Sequence, residues 1–164
     1  MPRKTESKTL ERLALGYLDR FDSSVENLRR VLVRHVNRAR ERGEAADGAE
    51  QAIESLLSRY QENGLLDDAR CAANWTTNLR ARGNSAALIA QKLQRKGFSP
   101  EVIQAALLGG EHSELDAARA LVRRRRLGCY RPAEERARHR EKDLTVLARA
   151  GFELDTATAA LGLE

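Results

Sequence analysis

The chain has 164 residues, with 29 Lys+Arg against 24 Asp+Glu, a formal net charge of +5 and two cysteines. That length suits one domain or a short array, burying roughly two thirds of its unfolded surface if compact. Cys71 and Cys129 cannot staple a chain of this size, no run of about 18 apolar residues offers a membrane span, and the opening Met1-Pro-Arg-Lys-Thr-Glu-Ser-Lys8 lacks the apolar run of a secretory signal. These features fit a cytoplasmic protein with reduced thiols, and residues 1–8 read as a disordered tail.

The predicted elements are all helices. Leu10, Leu13, Ala14, Tyr17 and Leu18 mark one helical face. Val25, Leu28, Leu32, Val36 and Ala39 mark a second, and Ser23 with Glu26 is spaced as a capping box at its start. Arg42 to Gly48 reads as a polar loop before the stripe Ala49, Ala52, Ile53, Leu56, Leu57 and Tyr60, which Gly64 ends. Asp67-Asp68 suits a first helical turn, where carboxylates face the positive end of the helix dipole. The helix that follows carries Ala69, Ala72, Ala73, Trp75, Thr76 and Leu79 and runs to Gly83.

Asn84-Ser85 caps the next helix, with Ile89 and Leu93 inward and Gly97 as its stop. Ser99-Pro100 starts another, which ends at Gly109-Gly110. Leu115, Ala118 and Val122 form a stripe up to Gly128. Pro132 opens a longer helix through Leu144, Leu147 and Ala148 to Gly151, and Asp155 caps a short last helix ending near Gly162. The fold class is all-α, about nine helices in three sets of three, with no alternating β-branched run of strand length.

One unit is used at least twice. Leu93-Gln-Arg-Lys-Gly97-Phe98 returns as Leu147-Ala-Arg-Ala-Gly151-Phe152, and Val102, Ala105, Ala106 and Leu107 fall opposite Thr156, Ala159, Ala160 and Leu161. A helix pair of this kind buries its apolar stripe by stacking on neighbours, so the chain reads as an array longer than a globule of its mass. Long surfaces of this type serve binding.

The charge excess is local. Residues 69–110 hold six basic residues against one acidic, whereas 1–68 and 111–164 are nearly balanced. Lys92, Arg95 and Lys96 share a face beside the Ile89–Leu93 stripe, and Arg80 and Arg82 close the preceding helix. An acidic partner is one reading of this cluster; a response of helix C-termini to their dipoles is the other. Arg123 to Arg126 sprays around a helix, and Glu134, Glu135, Glu141 and Asp143 in the following helix offer counter-charges.

Catalytic motifs are missing. His35, His112 and His139 lie three or four residues from no other histidine or cysteine, so no local metal chelate is encoded. Cys71 sits in an alanine-rich stripe and reads as packing, Asp67-Asp68 as capping and Trp75 as core, and Gly109-Gly110 follows a helix instead of opening one on a phosphate.

Gly64-Leu-Leu-Asp-Asp68, then Ala72 and Trp75, Arg80 to Gly83 and Leu93-Gln-Arg-Lys-Gly97 resemble the central signature of the RecX family of RecA regulators. Ala14-Leu-x-Tyr17-Leu18 and Ser24-x-x-Asn27-Leu28 resemble its opening, and Leu147-x-Arg149-x-Gly151-Phe152 its last repeat, so the likeness spans residues 9 to 162. Departures are Cys71 where an aromatic is usual, Leu79 where arginine is frequent, Val36 where glycine is usual, and residues 37–48, which look like an insertion. The resemblance implies a bent, elongated stack of three repeats, here 9–66, 67–110 and 111–164, lying along the groove of the RecA–DNA filament as a monomer and restraining RecA. It implies no catalysis, cofactor or metal. Arg80, Arg82, Lys92, Arg95, Lys96, Arg123 and Arg124 are the candidate contacts to partner or DNA.

Two other readings stand beside it. A DNA-binding protein reading a groove with the basic helix would want polar side chains near that helix's start, where Ala86, Ala87 and Leu88 stand; weak non-specific phosphate contact stays open. A generic helical scaffold for peptides would not need localised charge.

Overall fold

The computed structural model describes residues 4–44, 47–110 and 112–162. They form α1 (Lys4–Leu18), α2 (Val25–Glu41), α3 (Ala49–Glu62), α4 (Asp68–Ala81), α5 (Ala86–Arg95), α6 (Pro100–Leu108), α7 (Glu114–Arg125), α8 (Ala133–Arg149) and α9 (Leu154–Leu161). A single 3-10 turn, Gly128–Tyr130, lies between α7 and α8, and no strand occurs among the described residues. None of these helices is long and apolar enough to cross a membrane.

Four details differ from the sequence expectations. The helix expected to begin near residue 9 begins at Lys4, so residues 4–8 are helical and not tail; the rest of that span, 1–3, lies outside the described residues. Buried Leu10 and Ala14 anchor α1, and no glycine or proline between Lys4 and Lys8 stops it from propagating upstream. Part of the insertion is helix: with Val36 in place of a glycine nothing stops α2, which continues to Glu41 and closes when Glu44 N–H donates to Ala39 C=O at 2.8 Å. The cap of α2 is Ser24, not Ser23; Glu26 closes no box because its carboxylate pairs with Arg29 and Arg30. Asp155 lies inside the first turn of α9, whose N-cap residue is Glu153.

By contacts the chain gathers into two compact units: the stretch up to Cys71 with Lys96–Ser99, and Ala72–Arg95 with the stretch from Pro100 onward. The first unit is cored by Leu10 and Ala14 of α1, Leu28, Leu32 and Val36 of α2, and Ile53, Leu57 and Tyr60 of α3. In the second, Ala118, Leu121 and Val122 of α7 meet Leu147 of α8, Phe152, and Ala157 and Leu161 of α9. Each fully buried leucine contributes roughly 2 kcal/mol of transfer free energy.

The sequence echo is an echo of structure. Leu93 and Leu147 are both completely buried, Phe98 and Phe152 follow as buried residues, and between them Gly97 and Gly151 take φ of +84° and +87°. These glycines are also crowded. A Cβ on Gly97 would stand 2.6 Å from Glu26 Cγ, and one on Gly151 would stand 2.7 Å from Ser85 Oγ. Backbone conformation and space both demand glycine here.

What crowds them is a joint built the same way in each unit. In the first, Asn27 N–H donates to Ser24 Oγ (3.0 Å), the Ser24 hydroxyl donates to Lys96 C=O, and Val25 N–H donates to Asp68 Oδ1 (2.9 Å). In the second, Leu88 N–H donates to Ser85 Oγ (3.2 Å), Ser85 donates to Ala150 C=O (2.7 Å), and Ala86 N–H donates to the Glu114 carboxylate (2.9 Å). A helix start has unpaired N–H groups and a helix end has unpaired carbonyls. One hydroxyl serves both, as acceptor for its own helix and donor to the end of another.

The second unit buries the carboxylate of Asp143. Asp143 takes Gly128 N–H at 2.9 Å and a two-armed contact from Arg131, Nε and Nη2 each at 2.8 Å. Burial pushes the Asp143 carboxyl up, but the bonds from Arg131 and Gly128 outweigh it and leave the group below its ordinary value.

Ser24→Ala and Ser85→Ala, each removing a bond in both directions, should cost about 2 kcal/mol apiece in denaturant unfolding. A loss under about 0.5 kcal/mol, the range of ordinary surface changes, would mean water replaces the hydroxyl. For Asp143, whose folded pKa is depressed, the stabilisation is present above the ordinary carboxylate range and is lost as pH falls through it toward the folded value. Asp143→Asn should therefore cost about 2–3 kcal/mol near pH 7, and the gap to wild type should close in melts taken at progressively lower pH below about 4.

Candidate partner-binding surface

The seven cations singled out from sequence fall into different environments. Arg80, in the last turn of α4, is 7% exposed. Its guanidinium donates to Leu107 C=O at 3.1 Å and to His112 C=O, closing the end of α6. A cation there answers both the unpaired carbonyls and the negative end of the α6 dipole. Arg80 is committed within the fold and presents no surface to a partner.

Lys92 is half-buried, and its Nζ donates to Asn84 Oδ1 at 2.6 Å; Asn84 Nδ2 in turn donates to Leu79 C=O at 2.8 Å. Exposed Arg124 reaches back with Nη1 to Arg82 C=O at 2.6 Å. These acceptors are neutral oxygens, so they position the side chains without cancelling the charges. Arg82, Arg95 and Arg123 are exposed. Lys96, directly after α5, is half-buried, and its carbonyl is the one that Ser24 holds. Ile89 and Leu93 are buried as the helical reading of α5 requires.

Counter-charges are distributed unevenly. In the first unit Arg29 pairs with Glu26 and Glu54, Arg40 with Glu50, and Arg59 with Glu11. The Glu54 carboxyl is held down by its hydrogen bond from Arg29; Glu50 is lowered by its backbone hydrogen bond and by Arg40. Arg82, Lys92, Arg123, Arg124 and Arg125 form no ion pair among the described residues. Two of the four expected carboxylate partners of the arginine run look elsewhere. Asp143 turns to Arg131, and Glu135 stands 4.0 Å from His139.

The other candidates resolve simply. Cys71 is buried, and burial, with Asp22 close by, pushes its thiol well up, the opposite of an activated nucleophile. Asp67 caps its own helix, accepting Arg70 N–H at 2.9 Å. Asp68 caps α2 instead, a role no local spacing announces, and burial raises its carboxyl. Trp75 is half-buried and stands short of the full burial expected. No group of metal-binding side chains occurs among the described residues. Missed from sequence was the capping box of Ser113 and Asp116 on α7, although its spacing is the standard one.

Fold and surface together define an all-helical, repeat-built protein in which Arg82, Lys92, Arg123, Arg124 and Arg125 carry positive charge with no ion pair among the described residues. A family model described as the second three-helix domain of RecX matches residues 67–107. A regulatory protein RecX of Myxococcus xanthus is 42% identical over 159 residues, 92% of this chain and 83% of the relative. The RecX of Halorhodospira halophila is 36% identical over 108 residues, covering 66% of this chain and 65% of its own. A crystal structure of a regulatory protein RecX superposes with a TM-score of 0.63 at 20% identity, over 97% of this chain and 72% of the other, a likeness of fold. The chain belongs to the RecX family of regulatory proteins.

Arg80→Met should destabilise the fold by about 2–3 kcal/mol by orphaning buried carbonyls, while Arg82→Ala, on an exposed side chain, should stay within about 0.5 kcal/mol. Thermal melts of the two variants side by side separate the structural cation from the surface one.

Proposed function

We propose that this chain is a non-catalytic regulator that binds the RecA filament on DNA and restrains RecA activity. The observation that carries the reading is family membership across nearly the whole chain. The exposed and half-buried cations supply a physical means, since a filament presents DNA phosphates and acidic protein surface. Arg82, Lys92, Arg95, Lys96, Arg123 and Arg124 are the contacts on this reading, and Arg80 is withdrawn from the set because it is buried. The reading includes three repeats, 9–66, 67–110 and 111–164, which is supported by the recurrence of the serine–acid–glycine joint.

The cations act on encounter and on binding alike. Opposite charges steer association, and exposed pairs are screened over about 8 Å at physiological salt. Contacts to phosphate release counterions, so each one lost removes about one unit from the salt slope of log K.

The test is RecA on single-stranded DNA, with co-sedimentation and the RecA ATP hydrolysis rate as readouts. The wild-type chain should bind the filament, slow RecA and hydrolyse no ATP by itself. The triple variant Lys92→Gln, Arg95→Gln, Lys96→Gln replaces helix formers with another helix former. It should bind about tenfold or more weakly, with a flatter salt dependence. Wild-type binding by this variant would make the cluster a solvated face. Equal weakening on bare DNA and on filaments would favour plain DNA binding over filament recognition.

A further inference from the structure

In the second unit the α4–α5 turn, α7 and α8 border an open groove of about 320 Å³. Its apolar lining is Leu121, which is buried, with half-buried Leu88 and Val146; its polar lining includes the exposed Arg124, Arg125 and Arg149. Arg124 is held in place by its bond to Arg82 C=O. None of these three arginines forms an ion pair among the described residues. Like charges gathered without counter-ions repel one another, and a bound anion relieves that repulsion.

We propose that this groove binds an acidic peptide segment of a partner protein, with an apolar side chain on the Leu88–Leu121–Val146 floor and flanking carboxylates on Arg124, Arg125 and Arg149. Arginine is enriched at protein-binding hot spots, and the planar guanidinium matches a carboxylate with two parallel bonds. A single nucleic-acid strand binds by stacking its bases on aromatic rings. No aromatic side chain lines this groove, and aliphatic side chains do. Arg124 also belongs to the filament reading, so the test rests on Arg125 and Arg149, which that reading does not use, and on probes that contain no filament.

The experiment uses the full chain and fluorescence anisotropy. The probes are a labelled octapeptide of Asp and Glu around a central Leu-Phe pair, the same peptide with Ser-Ser at its centre, and a short oligothymidylate. The Leu-Phe peptide should bind saturably, and the Ser-Ser peptide about tenfold more weakly, because the apolar anchor is lost. The double variant Arg125→Ser, Arg149→Ser, checked for native helicity, should lose about tenfold in affinity for the Leu-Phe peptide. Arg149→Ser alone gives a smaller loss with the same sign if the pair disturbs folding. Equal affinity for the two peptides, no saturable binding, or an effect of the variant on oligothymidylate alone would each overturn the proposal.

Discussion

A hydroxyl that accepts from one helix and donates to another is the interaction on which the rest of this molecule depends. Ser24 and Ser85 begin α2 and α5, and each ends its reach on the carbonyl just before a glycine. The glycine is required because the serine and its neighbours occupy the space where a Cβ would be. The acid at the start of a further helix, Asp68 or Glu114, is required because the first N–H of the capped helix points at it. Take away the hydroxyl and the acid and glycine have nothing to fit. Apolar burial supplies most of the stability, but it is indifferent to direction, and these bonds set which helix end meets which helix start.

The same economy explains how the charge is laid out. Where arginines belong to the fold they have partners: carboxylates across α2 and α3, carbonyls around Arg80, the buried Asp143 for Arg131. Arg82, Lys92, Arg123, Arg124 and Arg125, on α5, on α7 and in the turn after α4, form no ion pair among the described residues. Their charge is not consumed in holding the chain together. The proposed binding to a polyanionic assembly would draw on such charge, and a fold stapled by bonds to the main chain leaves it on the surface.

Much of this was legible in the sequence because it is local. Apolar spacing placed the helices, and the echo of Leu93–Phe98 in Leu147–Phe152 anticipated equal burial and equal backbone geometry. The family resemblance carried the function further than any residue pattern alone. What was not legible depends on partners far along the chain. Asp68 looked like the cap of its own helix and serves α2, 43 residues earlier. Arg80 looked like a surface cation and is buried because Leu107 and His112 bring carbonyls to it. Asp143 looked available to the arginine run, but Arg131 and Gly128 satisfy it first. The errors at Ser23 and Asp155 are of another kind: the cap falls one residue later, at Ser24, in the first case and two residues earlier, at Glu153, in the second, and the geometry of entry decides.

The joint is written almost wholly in main-chain atoms. A serine oxygen and its proton, an acid and a bare glycine address carbonyls and amides that every residue carries, so the helix surfaces on either side are free to diverge. Leu93-Gln-Arg-Lys and Leu147-Ala-Arg-Ala share little beyond leucine and arginine, and both dock in the same manner. A coupling of this sort makes modules exchangeable: a segment that ends in the glycine and begins with the acid could be spliced after any segment that starts its middle helix with serine. The vocabulary of the seam is three residues long, and the outer faces remain open to whatever partner selection imposes.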